Sequence, residues 1–75
     1  MKELDLHGYY HHEVQTMVEN FVLMNHGEIP LRIITGKSEF MRNFVIQVLN
    51  EHNYHFDIPP HNHGEIVVIG EKLDL

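Results

Sequence analysis

The sequence contains no cysteine. That absence excludes disulfides, zinc–thiolate sites and thiol nucleophiles. Positive charge is also scarce: five Lys and Arg stand against eleven Asp and Glu, a formal net charge of −6 with histidine neutral. Tight non-specific binding to a nucleic-acid backbone, which depends on neutralising phosphates, is therefore not what the composition favours. Long apolar runs are missing, and nothing nears the roughly 20 residues of a membrane-spanning helix. The opening MKELDL lacks the apolar core of a secretory signal. No repeat, linker or low-complexity tract interrupts the chain. These absences lead to the expectation of a cytoplasmic protein with no membrane contact.

What is present fits a single domain over residues 1–75. A chain of this size buries only roughly 60% of its unfolded surface, so its stability margin is expected to be small. A hydrophobic fraction of 43% suffices for one core. Eight histidines accompany the acidic balance, and protonating all of them would turn −6 into +2. The sign of the charge is thus set to change in mildly acid solution.

Along the chain, residues 3–7 alternate, with Leu4 and Leu6 on one face and Asp5 and His7 on the other. Gly8 ends that strand. From His12 to about Asn25, Val14, Met17, Val18, Phe21 and Val22 recur at helical spacing, and Gly27 is placed to cap the helix. Pro30 precedes LRIIT, a β-branched run that reads as a buried strand. TGKSE turns the chain into a second amphipathic segment carrying Met41, Phe44, Val45, Val48 and Leu49. Ser38 is its expected N-cap, and Glu39 suits the positive end of its dipole. YHFDI at 54–58, ended by Pro59-Pro60, and EIVVIG after the turn HNHG are the remaining strands; the tail EKLDL has no clear pattern. The order β-α-β-α-β-β predicts an α/β protein: a two-layer sandwich with a mixed four-stranded sheet and two helices on one face. The first two strands are expected to be parallel and the last two antiparallel.

A right-handed β-α-β unit brings the ends of both parallel strands to one edge of the sheet. His7-Gly8 leaves the first strand there, and Thr35-Gly36-Lys37-Ser38 leaves the second, beside the N-termini of both helices. Ligands favour such an edge, and helix N-termini favour anions. A phosphate there would take N–H bonds from Gly36 to Ser38 and charge from Lys37 or Arg42. Asp5 and His7 read either as solvated strand residues or as a pair suited to proton transfer. TGKS is too short for a phosphate-loop motif and equally describes an ordinary strand-to-helix turn. His61-x-His63, with His55 or Asp57 nearby, has two readings: a transition-metal site, or solvated turn residues lacking the three or four converging ligands that such a site needs. No residue is assigned as a metal ligand, and a divalent cofactor is left open. His11 and His12 are donors beside the anion site or exposed first-turn residues. Tyr9 and Tyr10 either stack on bases or cover the helix end.

LDLHG at 4–8, a helix containing VENF, IITGK at 33–37 and Met41-Arg42 before Val45 together resemble the Smr (small MutS-related) domain. The resemblance spans nearly the whole chain. It implies a fold similar to the C-terminal domain of a bacterial translation initiation factor, and nuclease or nucleic-acid-binding function on RNA or DNA. It implies a catalytic role for Asp5 and His7, and substrate-binding roles for Gly8, Thr35, Gly36, Lys37, Ser38 and Arg42. Ser38 stands where the family's TGxG motif has its second glycine, so a side chain is expected to restrict positive φ and close approach of a phosphate. The family's GGxGxT motif is here His61-Asn62-His63-Gly64-Glu65-Ile66, in which only Gly64 survives. Tyr10 replaces the usual threonine cap. Three functions follow: a small nuclease using Asp5 and His7, a non-catalytic module binding nucleic acid or protein, and an interaction protein that blocks another protein. Oligomeric state is not legible.

Overall fold

The structure, a computed structural model, describes residues 1–72. Strand β1 spans Glu3–Asp5, shorter than the alternation over 3–7 predicts. The reason is a turn: the Leu6 N–H still donates to Ile34 O at 2.9 Å, but Leu6 O then accepts the Tyr9 N–H at 3.1 Å. Gly8 occupies the third position of this turn with φ +85°, a conformation that side chains rarely adopt.

Helix α1 runs His11–Met24, with Val14, Val18 and Val22 buried one turn apart. Tyr10, at the N-cap, makes no capping bond with its side chain; instead the Glu13 carboxylate accepts the Tyr10 N–H at 3.1 Å. The helix stops before Gly27 because Asn25 caps it: the backbone N–H and Nδ2 of Asn25 both donate to Phe21 O, at 3.1 and 2.8 Å. Gly27 lies in a short 3-10 turn, His26–Glu28, and does not take the positive φ of a glycine cap.

A cis Ile29–Pro30 peptide leads into β2, Leu31–Ile34. Helix α2 spans Glu39–Glu51, and the Ser38 hydroxyl accepts the Met41 N–H at 3.1 Å, as its N-cap position predicts. Strand β3 is Tyr54–Asp57 and β4 is Glu65–Glu71. Of the unassigned tail, Glu71 closes β4, while residues 73–75 lie outside the described residues.

The sheet order is β1-β2-β4-β3. β1 and β2 are parallel, and β4 is antiparallel to both β2 and β3. The last strand therefore inserts between β2 and β3, so that α2 crosses over a strand position that β4 fills afterwards. Ile33 pairs with Leu4 on one side and Ile66 on the other. Leu6, Leu31, Ile33, Ile66 and Val68 pack with the buried valines of α1 and with Val45, Val48 and Leu49 of α2 in one cluster. Both helices thus cover one face of the sheet. The expectation that LRIIT is buried throughout holds for that face only: Arg32 and Ile34 point the other way and are half-buried, because two helices make a single layer. On this open face Arg32 ion-pairs with Glu3 at 3.4 Å and Glu65 at 3.2 Å, linking β1 to β4 across β2.

The helices are also tied to each other. His52, the C-cap of α2, meets Glu19 of α1 at 2.7 Å. This hydrogen bond holds the Glu19 carboxyl below its ordinary range, against an opposing effect of burial. A carboxyl whose pKa falls on folding stabilises the fold above about pH 4.5, where the unfolded glutamate is ionised, and that contribution is lost as pH falls through the folded value. Glu19→Gln is therefore expected to flatten the acid limb of the stability profile. Urea midpoints of both proteins from pH 3 to 7 should converge at the acid end; a constant offset would contradict the pairing.

Candidate functional site

Three loops meet at the edge where β1 and β2 end. The first is the turn Leu6–Tyr9, and the second is Thr35–Ser38 between β2 and α2. The third, which connects β3 to β4 and carries His61–Gly64, arrives because β4 begins beside the end of β2: Glu65 pairs with Ile34. Gly64 O accepts the Thr35 N–H at 2.8 Å and the Gly36 N–H at 3.0 Å, fastening the third loop onto the second. Asn62 Oδ1 accepts the Gly64 N–H at 3.0 Å and shapes the approach. A Cβ on Gly64 would lie 3.2 Å from Gly36 O and 3.4 Å from Gly36 C, both backbone atoms, so any side chain there would press on the second loop.

The first two loops enclose a cleft of about 350 Å³ lined by His7, Gly8, Tyr9, Gly36, Lys37 and Ser38. A Cβ placed on Gly36 would lie 3.8 Å from His7 Nδ1, so the imidazole sits beside that glycine. Its ring makes no hydrogen bond or ion pair among the described residues and is exposed to solvent. Lys37 also borders a second cleft of about 570 Å³, lined by Arg42, His61, Asn62, His63 and Gly64. Lys2, Arg32 and Arg42 all have carboxylate partners, at 3.0, 3.2 and 3.9 Å, whereas Lys37 has none among the described residues. It is the cation left open at this edge.

The edge thus gathers Asp5, His7, Gly8, Thr35, Gly36, Lys37, Ser38 and Arg42 as the topology predicts, but several of them are engaged differently from expectation. Asp5 does not meet the His7 ring: its Oδ1 accepts the His7 backbone N–H at 2.9 Å, which fixes the turn. The Gly36 N–H is not available to a phosphate, because it donates to Gly64 O. The N–H groups of Lys37 and Ser38 have no partner among the described residues. Ser38 has φ −75° and ψ 111°, so no positive φ is required of it and the serine is accommodated. Gly36 takes the positive φ instead, at +69°. Thr35 is 5% exposed, so it supports the loop from beneath. Arg42 donates to His63 O at 3.4 Å and pairs with Glu39, bracing the third loop.

Sequence reading missed two features. One is how closely the His61–Gly64 loop is joined to the second loop; its only signal was the surviving Gly64. The other is an aromatic group at the helix N-termini. Phe40 lies off the apolar stripe of α2, 63% exposed, with the His11 ring edge-on at 5.5 Å and Phe44 behind it at 6.4 Å. Among the described residues no group of three or more His, Asp or Glu converges as metal ligands, so His61 and His63 form no such site with His55 or Asp57. No helix among the described residues is long and apolar enough to cross a membrane.

A family model, that of the Smr domain, matches residues 4–69 of the chain. No curated protein and no solved structure matches.

Proposed function

Because the chain belongs to the Smr domain family, a nucleic-acid-binding and nuclease-type domain, we propose that it cleaves RNA or single-stranded DNA at the edge where β1 and β2 end. The observation that carries this reading is the juxtaposition of an unpartnered His7 imidazole with Gly36 and Lys37 around one cleft. A backbone phosphate seated there would be held by the Lys37 ammonium and by the free N–H groups of Lys37 and Ser38, at the N-terminus of α2. These donors would also stabilise the charge that develops on the phosphoryl oxygens. His7 would take the proton from the attacking hydroxyl, of water or of a ribose, as its oxygen bonds to phosphorus. The ester P–O bond then breaks, and the departing oxygen takes a proton from solvent. Asp5 serves as a positioning residue through the His7 backbone. Gly8 allows the turn, while Thr35, Gly36 and Arg42 maintain the loops.

A second reading is a module that binds nucleic acid or a protein without turnover. It is favoured by the Asp5 contact, which leaves the imidazole without a carboxylate to polarise it, and by the Gly36 N–H already taken by Gly64. A cleavage assay on end-labelled single-stranded RNA and DNA, with and without EDTA, separates the two. Wild type is expected to cut, and Lys37→Ala to weaken substrate binding by about tenfold, as the loss of a hydrogen-bonded charge implies. Binding without cutting, weakened by Lys37→Ala, would favour the second reading. Binding indifferent to Lys37 would remove this edge from consideration.

A further inference from the structure

The exposed rings beside the cleft, Phe40, Tyr9 and Tyr10, lie outside the buried core and have no part in the mechanism above. We propose that they form a stacking platform for unpaired bases, so that the site takes nucleic acid whose bases next to the bound phosphate are not paired. This rests on the reading of the cleft as a phosphate site, and it adds the surface that would select unpaired bases over a duplex.

Phe40 is the second residue of α2, two positions beyond Ser38, which lines the cleft. Phe40 is 63% exposed, and with Tyr9 and Tyr10 it belongs to a cluster of exposed rings rather than standing singly. The ring is not loose. His11 meets it edge-on at 5.5 Å, Phe44 stacks behind it at 6.4 Å, and Phe44 is itself packed against the core. The exposed ring is thereby held before any ligand arrives, which lowers the ordering cost of binding. At the start of α1, Tyr9 lines the cleft and is 48% exposed, and Tyr10, 71% exposed, stacks with His12 at 5.8 Å. Rings in contact thus run from Tyr10 through His12 and His11 to Phe40, across the N-termini of both helices.

The occupant follows from three features. Flat rings, rather than aliphatic side chains, dominate the exposed apolar surface here, and every base has a π-face to stack on them. The rings adjoin Lys37, which unlike Arg42 at the same edge has no carboxylate partner among the described residues, and this matches a ligand alternating bases with phosphates. The chain carries −6 overall, so backbone electrostatics alone give a poor hold on nucleic acid, and base stacking would supply affinity that charge does not. A paired duplex keeps its base faces inside its own stack and could not use this surface.

The test uses the whole chain and short oligonucleotides carrying a single 2-aminopurine, whose emission changes when it stacks, in single-stranded and duplex forms. Affinity is read by titration and stacking by emission. Wild type is expected to bind the single strand more tightly than the duplex and to change its emission. Phe40→Ala is expected to lose about tenfold in single-strand affinity and most of the emission change, with duplex binding unaltered, whereas Phe40→Tyr retains both. Tyr10→Ala, at a site too exposed to matter for folding, should act in the same direction. If Lys37→Ala weakens binding but Phe40→Ala and Tyr10→Ala do not, the platform is wrong and the phosphate site stands. If wild type prefers duplex, the platform is likewise wrong. If wild type binds no oligonucleotide, both readings fall, and a protein partner becomes the explanation of the exposed rings.

Discussion

His7→Ala is expected to reduce cleavage of single-stranded substrate by about 10²–10⁴-fold, the usual contribution of a positioned proton-transfer group. Folding should be nearly unaffected, within about 0.5 kcal/mol, because the side chain is exposed and has no partner among the described residues. The structural role of this position belongs to its backbone N–H, which alanine keeps, so the Asp5 contact survives the substitution. Asp5→Asn is the informative companion. An asparagine oxygen can still accept the His7 N–H, so a residue that only positions the turn should tolerate the change with most activity intact. A loss as deep as that of His7→Ala would mean that the carboxylate charge itself is needed, and that the Asp5 side chain turns to the imidazole when substrate is bound. Cleavage unchanged in purified His7→Ala would remove His7 from the chemistry altogether.

The largest effect on stability is expected from Ile33→Ala. Ile33 is fully buried at the centre of the sheet, paired with Leu4 in β1 and Ile66 in β4. Truncating such a residue removes its transfer free energy and leaves a cavity, together about 2–5 kcal/mol. A 75-residue fold has roughly 4–11 kcal/mol in all, from about 0.05–0.15 kcal/mol per residue, so a large share of its stability would go. The midpoint of thermal unfolding should drop by about ten degrees or more. The functional edge should fail with it, since β2 carries the Thr35–Ser38 loop and aligns both neighbouring strands. A change below about 1 kcal/mol in urea unfolding would show that β2 is not the centre of the core. Ile34→Ala, on the open face and half-buried, should cost distinctly less and serves as the comparison.

The elements themselves were legible in the chain. Valine spacing marked α1, and Ser38 marked the start of α2, because amphipathic periodicity and a cap hydroxyl act over a few neighbouring residues. The first two strands could be placed parallel for the same local reason: a helix between them leaves little other choice. The same rule places Asp5, His7 and the Thr35–Ser38 loop at one edge from sequence alone. The helix ends near Asn25 as its periodicity predicts, but the cap is Asn25 and not Gly27: an asparagine able to donate twice to one carbonyl competes with the glycine signal, and pattern alone does not rank the two. Strand β1 is shorter than its alternation predicts, because alternation continues through His7, while the turn hydrogen bond that ends the strand depends on Gly8.

By itself, then, the sequence determined the layers, the helix faces and which residues gather where β1 and β2 end. All of these follow from periodicity and handedness, properties of a chain segment and its immediate neighbours. Tertiary structure decided what those residues can do. The insertion of β4 between β2 and β3 is a long-range pairing, and it alone brings Gly64 against Gly36, takes the Gly36 N–H out of use and turns Arg42 into a brace for the third loop. The His7 and Lys37 side chains and the N–H groups of Lys37 and Ser38 are left open at the cleft. The packing of α1 on α2 likewise sets His11 against Phe40 and holds an aromatic ring in solvent beside them. Neither outcome is encoded in local spacing, because each depends on which distant backbone groups have already found partners.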